Sequence, residues 1–168
     1  MPYMMISLGG VTAGTAVILV FLVRWWFAEG HRWSALVPFV LSFLYGMLAA
    51  LAALGSWSVL GAVTWVSLWS ANVGGWIALV WGVGGTDHNI TRAPQLALTS
   101  GGYAIVLLLT ALLFALWKWA AKVPNWKLAA GAFSGVAVAL SGNVAGVAAV
   151  PLGSAANLAG AWFTAVFE

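Results

Sequence analysis

VLGAVTWVSLWSANVGGWIALVWGV, residues 59–83, runs without one charged side chain. An apolar helix of ~17–25 residues is what the hydrocarbon core of a bilayer demands of a crossing segment. Yet Asn72 and the pair Gly74–Gly75 interrupt it. How this stretch is read decides what solvent surrounds the chain and how often the chain crosses it.

The rest of the sequence answers the first question. The chain has 168 residues, 64% hydrophobic and 5% charged. Ordinary soluble domains carry about 25% charged residues. A folded domain of ~150 residues still leaves about 30% of its unfolded-chain surface in water. So much apolar surface is stable only in lipid, and the expected fold class is an all-α integral membrane protein in a cell membrane. It is a single polytopic bundle of four or five transmembrane helices. The Ala, Gly, Val and Trp bias suggests a bacterial chain.

Five apolar runs are long enough to cross: residues 4–23, 34–54, 59–83, 96–117 and 128–150. Pro38 is expected in the first turn of the second run, where a missing N–H is tolerated. Pro151 is expected to stop the fifth. The tail, residues 152–167, is ~23 Å long as a helix, which suits an interfacial or capping segment. The N-terminus has no basic n-region and its apolar run is too long for a cleavable signal, so it is expected to stay as a span. Trp25, Trp26, Trp33, Trp57, Trp117, Trp119 and Trp126 fall at the run boundaries, where tryptophan favours the membrane–water interface.

The second question is harder. With five crossings, Arg24, Arg32 and Arg92 lie on one side and Lys118, Lys122 and Lys127 on the other, so the positive-inside rule cannot choose. If residues 59–83 enter and leave on one side, Arg24, Arg32 and the three lysines share the cytoplasmic face and only Arg92 opposes them. The charge count favours re-entry and the length favours a span; the span is kept ahead.

Within residues 59–83, Trp65, Trp69 and Trp76 lie within about 40° on a helical wheel, with Ser67, Ser70 and Gly74 near the opposite side. Ser70-x-x-x-Gly74 therefore reads as a small-residue packing face, with the tryptophans turned to lipid, a groove or another subunit. An asparagine amide in lipid needs a partner, so Asn72 is expected to tether a neighbouring helix, with Gly74 and Gly75 letting it approach. The pattern SANVGG at 70–75 returns as SGNVAG at 141–146 and is echoed by SAANLAG at 154–160. This suggests a weak repeat pairing the second and third runs with the fourth and fifth. In the fifth run, Gly131, Gly135, Gly142 and Gly146 fall on one stripe as two GxxxG motifs, extended by Ala149 and Gly153. Such a stripe suits tight packing within the chain or between copies.

No side chains converge on a chemistry. The apolar runs hold no Asp, Glu, His, Lys or Arg, which argues against a proton-coupled pump. Asp87-His88-Asn89 is a lone acid–histidine neighbourhood, read as a solvated loop. His31 with Glu29 and Arg32 reads as an exposed interfacial cluster. Asn89-Ile-Thr91 matches a glycosylation sequon, which carries meaning only in a secretory setting. The chain has no cysteine, hence no disulfide framework. The expectation is a non-catalytic structural subunit without cofactor, metal or nucleic-acid partner. Its partners are membrane lipid and further copies or other membrane subunits. The alternative is an oligomeric pore or passive channel lined by Ser67, Asn72, Ser141, Asn143 and Asn157 with their Ser and Gly neighbours.

Overall fold

In a computed structural model, residues 5–53, 58–90, 98–120, 123–141 and 145–167 are described. The chain is all-helical: α1 Leu8–Ala28, α2 Trp33–Ala53, α3 Val59–Trp76 with a π-helical extension Ile77–Gly82, α4 Ser100–Trp119, α5 Asn125–Ala139 and α6 Ala145–Phe167. Among the described residues there is no strand, only an isolated bridge between Ser7 and Asn89. Among the described residues, four helices are long and apolar enough to cross a membrane: α1, α2, α3 with its extension, and α4.

The helices begin where the caps say they should. Ser7, Ser58 and Thr99 are N-caps whose hydroxyls accept from the N–H three residues on, the Ser/Thr role that satisfies one unpaired donor of a first turn. Two expectations change. Because α2 starts at Trp33, Pro38 lies in the second turn, inside the helix. Pro151 likewise lies inside α6 and does not stop a helix. What ends the fifth run is a break after Ala139; a new helix starts at Ala145. The run read as one span, 128–150, is two helices, and the tail 152–167 is the greater part of the second.

The centre of the bundle is the α2–α5 pair, which runs parallel. Lys127 lies against Ala35, Gly131 against Phe39 and Ser42, and Gly135 against Phe43 and Met47. Glycine is required here: a Cβ on Gly135 would meet the Met47 nitrogen at 3.1 Å and would overlap the Phe43 carbonyl. The Phe39 ring stacks on Phe21 of α1, with centroids 3.8 Å apart and planes 4° apart. Two buried hydroxyls face the same seam. Ser42 donates to the carbonyls of Pro38 and Phe39, and Ser134 to those of Ala130 and Gly131.

α1 flanks the pair antiparallel to α5. Phe21 meets Trp126, while Gly14 meets Ala137 and Val138. α4 flanks it on α2, with Leu98 and Val106 against Met47–Ala52 and the Tyr45 and Thr110 hydroxyls 2.9 Å apart. α1 and α4 thus start at the same end of the bundle, where α2 and α5 finish.

α3 stays at that end. Leu60 packs near the finish of α2, and Leu68 and Ala71 pack with Ile6, Val136 and Leu140. Gly75 and Asp87 both touch Gly9. Between Trp76 and Asp87 the extension covers only about 9 Å, whereas the far end of α1, near residue 28, is about 28 Å from Gly9 at 1.5 Å per residue. Long as it is, α3 begins and ends beside the start of α1. α6 does the same beside α4: Ala149, Leu152 and Ala156 pack with Leu98, Met47 and Leu48, and Gly160 lies against Gly101.

Candidate functional site: two equivalent asparagine ties

Asn72 reaches from α3 to the residues that open α1. Its Oδ1 accepts from Ser7 N at 3.0 Å and faces Ser7 Oγ at 3.4 Å; its Nδ2 donates to the Met5 carbonyl at 2.9 Å. Ser7 Oγ in turn accepts from Gly10 N at 3.1 Å. The remaining donors of the first turn are also met. Leu8 N donates to the His88 carbonyl and Gly9 N to Asp87 Oδ1, each at 2.9 Å. The start of α1 therefore leaves no backbone donor from Ser7 to Gly10 unsatisfied, which is the accounting that a helix end in apolar surroundings requires. A carboxylate at this position also suits the positive end of the helix dipole.

The same construction occurs a second time. Asn157 Oδ1 accepts from Thr99 N at 2.8 Å and faces Thr99 Oγ1 at 3.2 Å, and Thr99 Oγ1 accepts from Gly102 N at 3.2 Å. The glycines match as well. A Cβ on Gly9 would lie 2.7 Å from the Gly75 carbonyl carbon, and one on Gly101 2.6 Å from that of Gly160. A Cβ on Gly10 would strike Asn72 Oδ1, and one on Gly102 Asn157 Oδ1. Ser7, Gly9, Gly10, Asn72 and Gly75 thus correspond to Thr99, Gly101, Gly102, Asn157 and Gly160.

The correspondence extends through both units. The buried stripe of α3 is Gly61, Thr64, Leu68, Ala71 and Gly75; on α6, Ala149, Gly153, Ala156 and Gly160 are buried. From Thr64 onward the two stripes share one spacing, and Ser42 of α2 matches Ser134 of α5. The chain is a duplicated three-helix unit, α1–α3 and α4–α6, with the two copies parallel and joined along α2 and α5. The repeat expected from sequence paired the wrong segments. Asn72 matches Asn157, and Asn143 lies outside the described residues.

The other singled-out residues divide. Gly131 and Gly135 sit in the α2–α5 seam. Gly142 lies outside the described residues and Gly146 belongs to α6, so Gly131 and Gly135 do not share a helix with Gly146. Ser70 is exposed, and a Cβ on Gly74 would meet nothing within 4 Å. The packing face of α3 is one residue further on, at Ala71 and Gly75. Trp65, Trp69 and Trp76 are 46%, 57% and 43% exposed. Ser67 is half-buried and donates to the Val63 carbonyl. Ser141 is buried just past the end of α5. Of the polar residues named as a lining, Asn72 and Asn157 bind the starts of α1 and α4.

Asp87 is no solvated loop residue, since it holds Gly9, while His88 is exposed and contributes its carbonyl. Among the described residues no three His, Asp or Glu side chains gather as a metal site.

At the opposite end of the bundle is a feature the sequence reading missed. Lys127, 4% exposed, donates to Glu29 Oε2 at 2.6 Å and to the Ala35 carbonyl at 3.1 Å. Its Nζ also lies 5.8 Å from the Phe21 ring centroid and 5.9 Å from that of Trp126. The pair joins the two units across 98 positions of sequence, so no local pattern announces it. Around it, His31 has φ 59° and stands edge-on to Trp25 and Trp26. Trp25 Nε1 donates to the Arg32 carbonyl at 3.0 Å.

Comparison with protein-family models, with curated proteins and with solved structures finds no match.

Proposed function

We propose that the protein is a non-catalytic, membrane-embedded subunit of a larger assembly in the cell membrane. The observation that carries this reading is where the polar side chains go. Asn72, Asn157, Ser42, Ser134, Asp87 and the Lys127–Glu29 pair each close a contact inside the chain. The glycines of the α2–α5 seam are likewise occupied within the chain, so they are not the surface that joins copies or partners. The exposed tryptophans of α3 are the face left for that role. A pore would have to run between copies, because the two central helices meet backbone to backbone.

In this arrangement α1, α2 and α4 cross, and α5, with 15 residues shorter than those three, crosses as the helix that lies along α2 from Ala35 to Met47, while α3 and α6 enter and leave on one side. The end that carries Arg24, Arg32, Lys118 and Lys127 faces the cytoplasm, following the positive-inside bias. The chain has no cysteine of its own, so single cysteines can be introduced cleanly. Residue 86 should label from outside intact cells and residues 30 and 120 only after permeabilisation; labelling of 30 and 86 from the same side would remove the arrangement. For the assembly, the measurement is the mass of the protein purified in mild detergent. A larger complex is expected, and a lone monomer without partners overturns the reading.

A further inference from the structure

We propose that the outer face of α1 at its C-terminal end seats an anionic phospholipid, with Arg24 as the ligand of its phosphate. The inference rests on the membrane arrangement above, in which this end meets the cytoplasmic leaflet.

The first support is how charge is distributed. Glu29 is the one carboxylate among the described residues at this end. Its Oε2 is held by buried Lys127 at 2.6 Å, while its Oε1 is 3.9 Å from Arg24 Nε. A buried lysine therefore takes up most of the available negative charge. The Arg24 side chain is 58% exposed, and among the described residues that long contact is its one ion pair. Arg32 and Lys118 are exposed as well.

The second support is that Arg24 is held in place. Its guanidinium lies 4.9 Å from the Trp126 ring centroid. A cation over an aromatic face is attracted by the ring, and the guanidinium's donors match a phosphate two at a time. Cations next to a membrane surface each attract acidic lipids, and a guanidinium already ordered loses less freedom on binding.

The third support selects a lipid over a free phosphate or an acidic peptide. Val20, Val23, Arg24 and Phe27 share one face of α1 at helical spacing. Val20, Val23 and Phe27 are 68%, 57% and 82% exposed. An amphiphile with an acyl chain along Val20 and Val23 and its head group at Arg24 matches both halves of this stripe. Trp26, Trp33 and Trp126 sit partly exposed at the same level, where aromatic belts mark the head groups.

The test is native mass spectrometry of the full chain carrying phosphatidylglycerol or phosphatidylcholine. The expected result is preferential retention of phosphatidylglycerol by the wild type. Arg24→Gln should lower that preference about fivefold, the equivalent of roughly 1 kcal/mol for one surface cation. Arg24→Lys should restore part of it, and Lys118→Gln, an equal charge change off the stripe, should leave it nearly intact. Equal retention of the two lipids, or equal losses in the Arg24 and Lys118 variants, overturns the proposal. So does displacement of the lipid by millimolar inorganic phosphate, which would mark a plain anion site, or by an acidic peptide. If Arg24→Gln does not fold, brominated phosphatidylglycerol decides: it should quench more fluorescence in the wild type than in Trp126→Phe, and equal quenching refutes the site. Cysteine labelling reports separately on the membrane arrangement, so the two failures are distinguishable.

Discussion

Two adjacent glycines of α3 should respond oppositely to the same methyl group. On Gly74 an added Cβ would have nothing within 4 Å. Gly74→Ala then changes only the helix propensity, a gain of up to ~1 kcal/mol. On Gly75 the Cβ would overlap the Gly9 carbonyl oxygen and lie 2.7 Å from Gly10 N. Ordinary contact needs close to another ångström, so α1 and α3 must separate. Overpacking of this kind costs about 1–3 kcal/mol. The separation also stretches the 3.0 Å bond from Ser7 N to Asn72, a further loss of about 1 kcal/mol. Set against the same propensity gain, Gly75→Ala should lose about 1–3 kcal/mol, centred near 2. The difference between neighbours is then about 3 kcal/mol, read as the midpoint shift in SDS unfolding of the micellar protein followed by circular dichroism. Gly160→Ala should behave like Gly75→Ala. Similar midpoints for Gly74→Ala and Gly75→Ala would refute the register of α3 on α1, because one position is 100° of helix rotation.

The duplication predicts matched losses elsewhere. Asn72→Ala and Asn157→Ala should each destabilise by about 1–2 kcal/mol in the same unfolding assay. Their effects should add in the double variant, since the two ties share no partner; one silent site would end the equivalence. Asp87→Ala should cost about 1 kcal/mol through the lost cap and dipole contact of α1, with the loss measured by hydrogen exchange at Leu8 to Gly10. Lys127→Met should cost about 3 kcal/mol because it leaves Glu29 partly buried without its partner. The double variant Lys127→Met, Glu29→Gln should recover much of that loss, and strict additivity of the two would contradict the pairing.

Composition and run lengths carried the all-helical class, and the runs 4–23, 34–54 and 96–117 overlap α1, α2 and α4 with ends that differ by one to five residues. They failed between Ala139, where α5 ends, and Ala145, where α6 starts, in a stretch whose flanks are Ala, Gly and Val on both sides. A break that keeps the composition apolar leaves no hydropathy signal, and Pro151, the obvious stop, lies inside the next helix. Faces were illegible for a related reason. Lipid is as apolar as the bundle interior, so polarity does not sort buried from exposed positions, and residue size does. That is why Ala71 and Gly75 are buried while Trp69 and Trp76 are exposed, and why the contact face was placed at Ser70 and Gly74, one residue early. The better signal was short and local. Ser7-x-Gly9-Gly10 and Thr99-x-Gly101-Gly102 both open apolar runs, and each has an Asn-x-x-Gly later in its unit. The Lys127–Glu29 pair had no such signal.

The duplication bears on the crossing number through parity. A unit with an odd number of crossings delivers its successor to the opposite face, so a second copy would be inverted. A unit with an even number delivers it to the same face, and the copies are parallel. Here Phe39 and Phe43 of α2 lie against Gly131 and Gly135 of α5 in the same chain direction, and α1 and α4 start at one end. If α2 crosses, each three-helix unit must therefore cross an even number of times, and its third helix must return to the side it left. The pairing of Leu8 and Ile90 backbone amides with the carbonyls of His88 and Ile6 places that return beside the start of α1. Charge leads to the same answer by a route that uses no coordinates: only this arrangement collects five of the six Lys and Arg residues on one face. Length favoured a third crossing, but a helix long enough to span is obliged to do so only when its two ends lie at opposite ends of the bundle, and those of α3 do not.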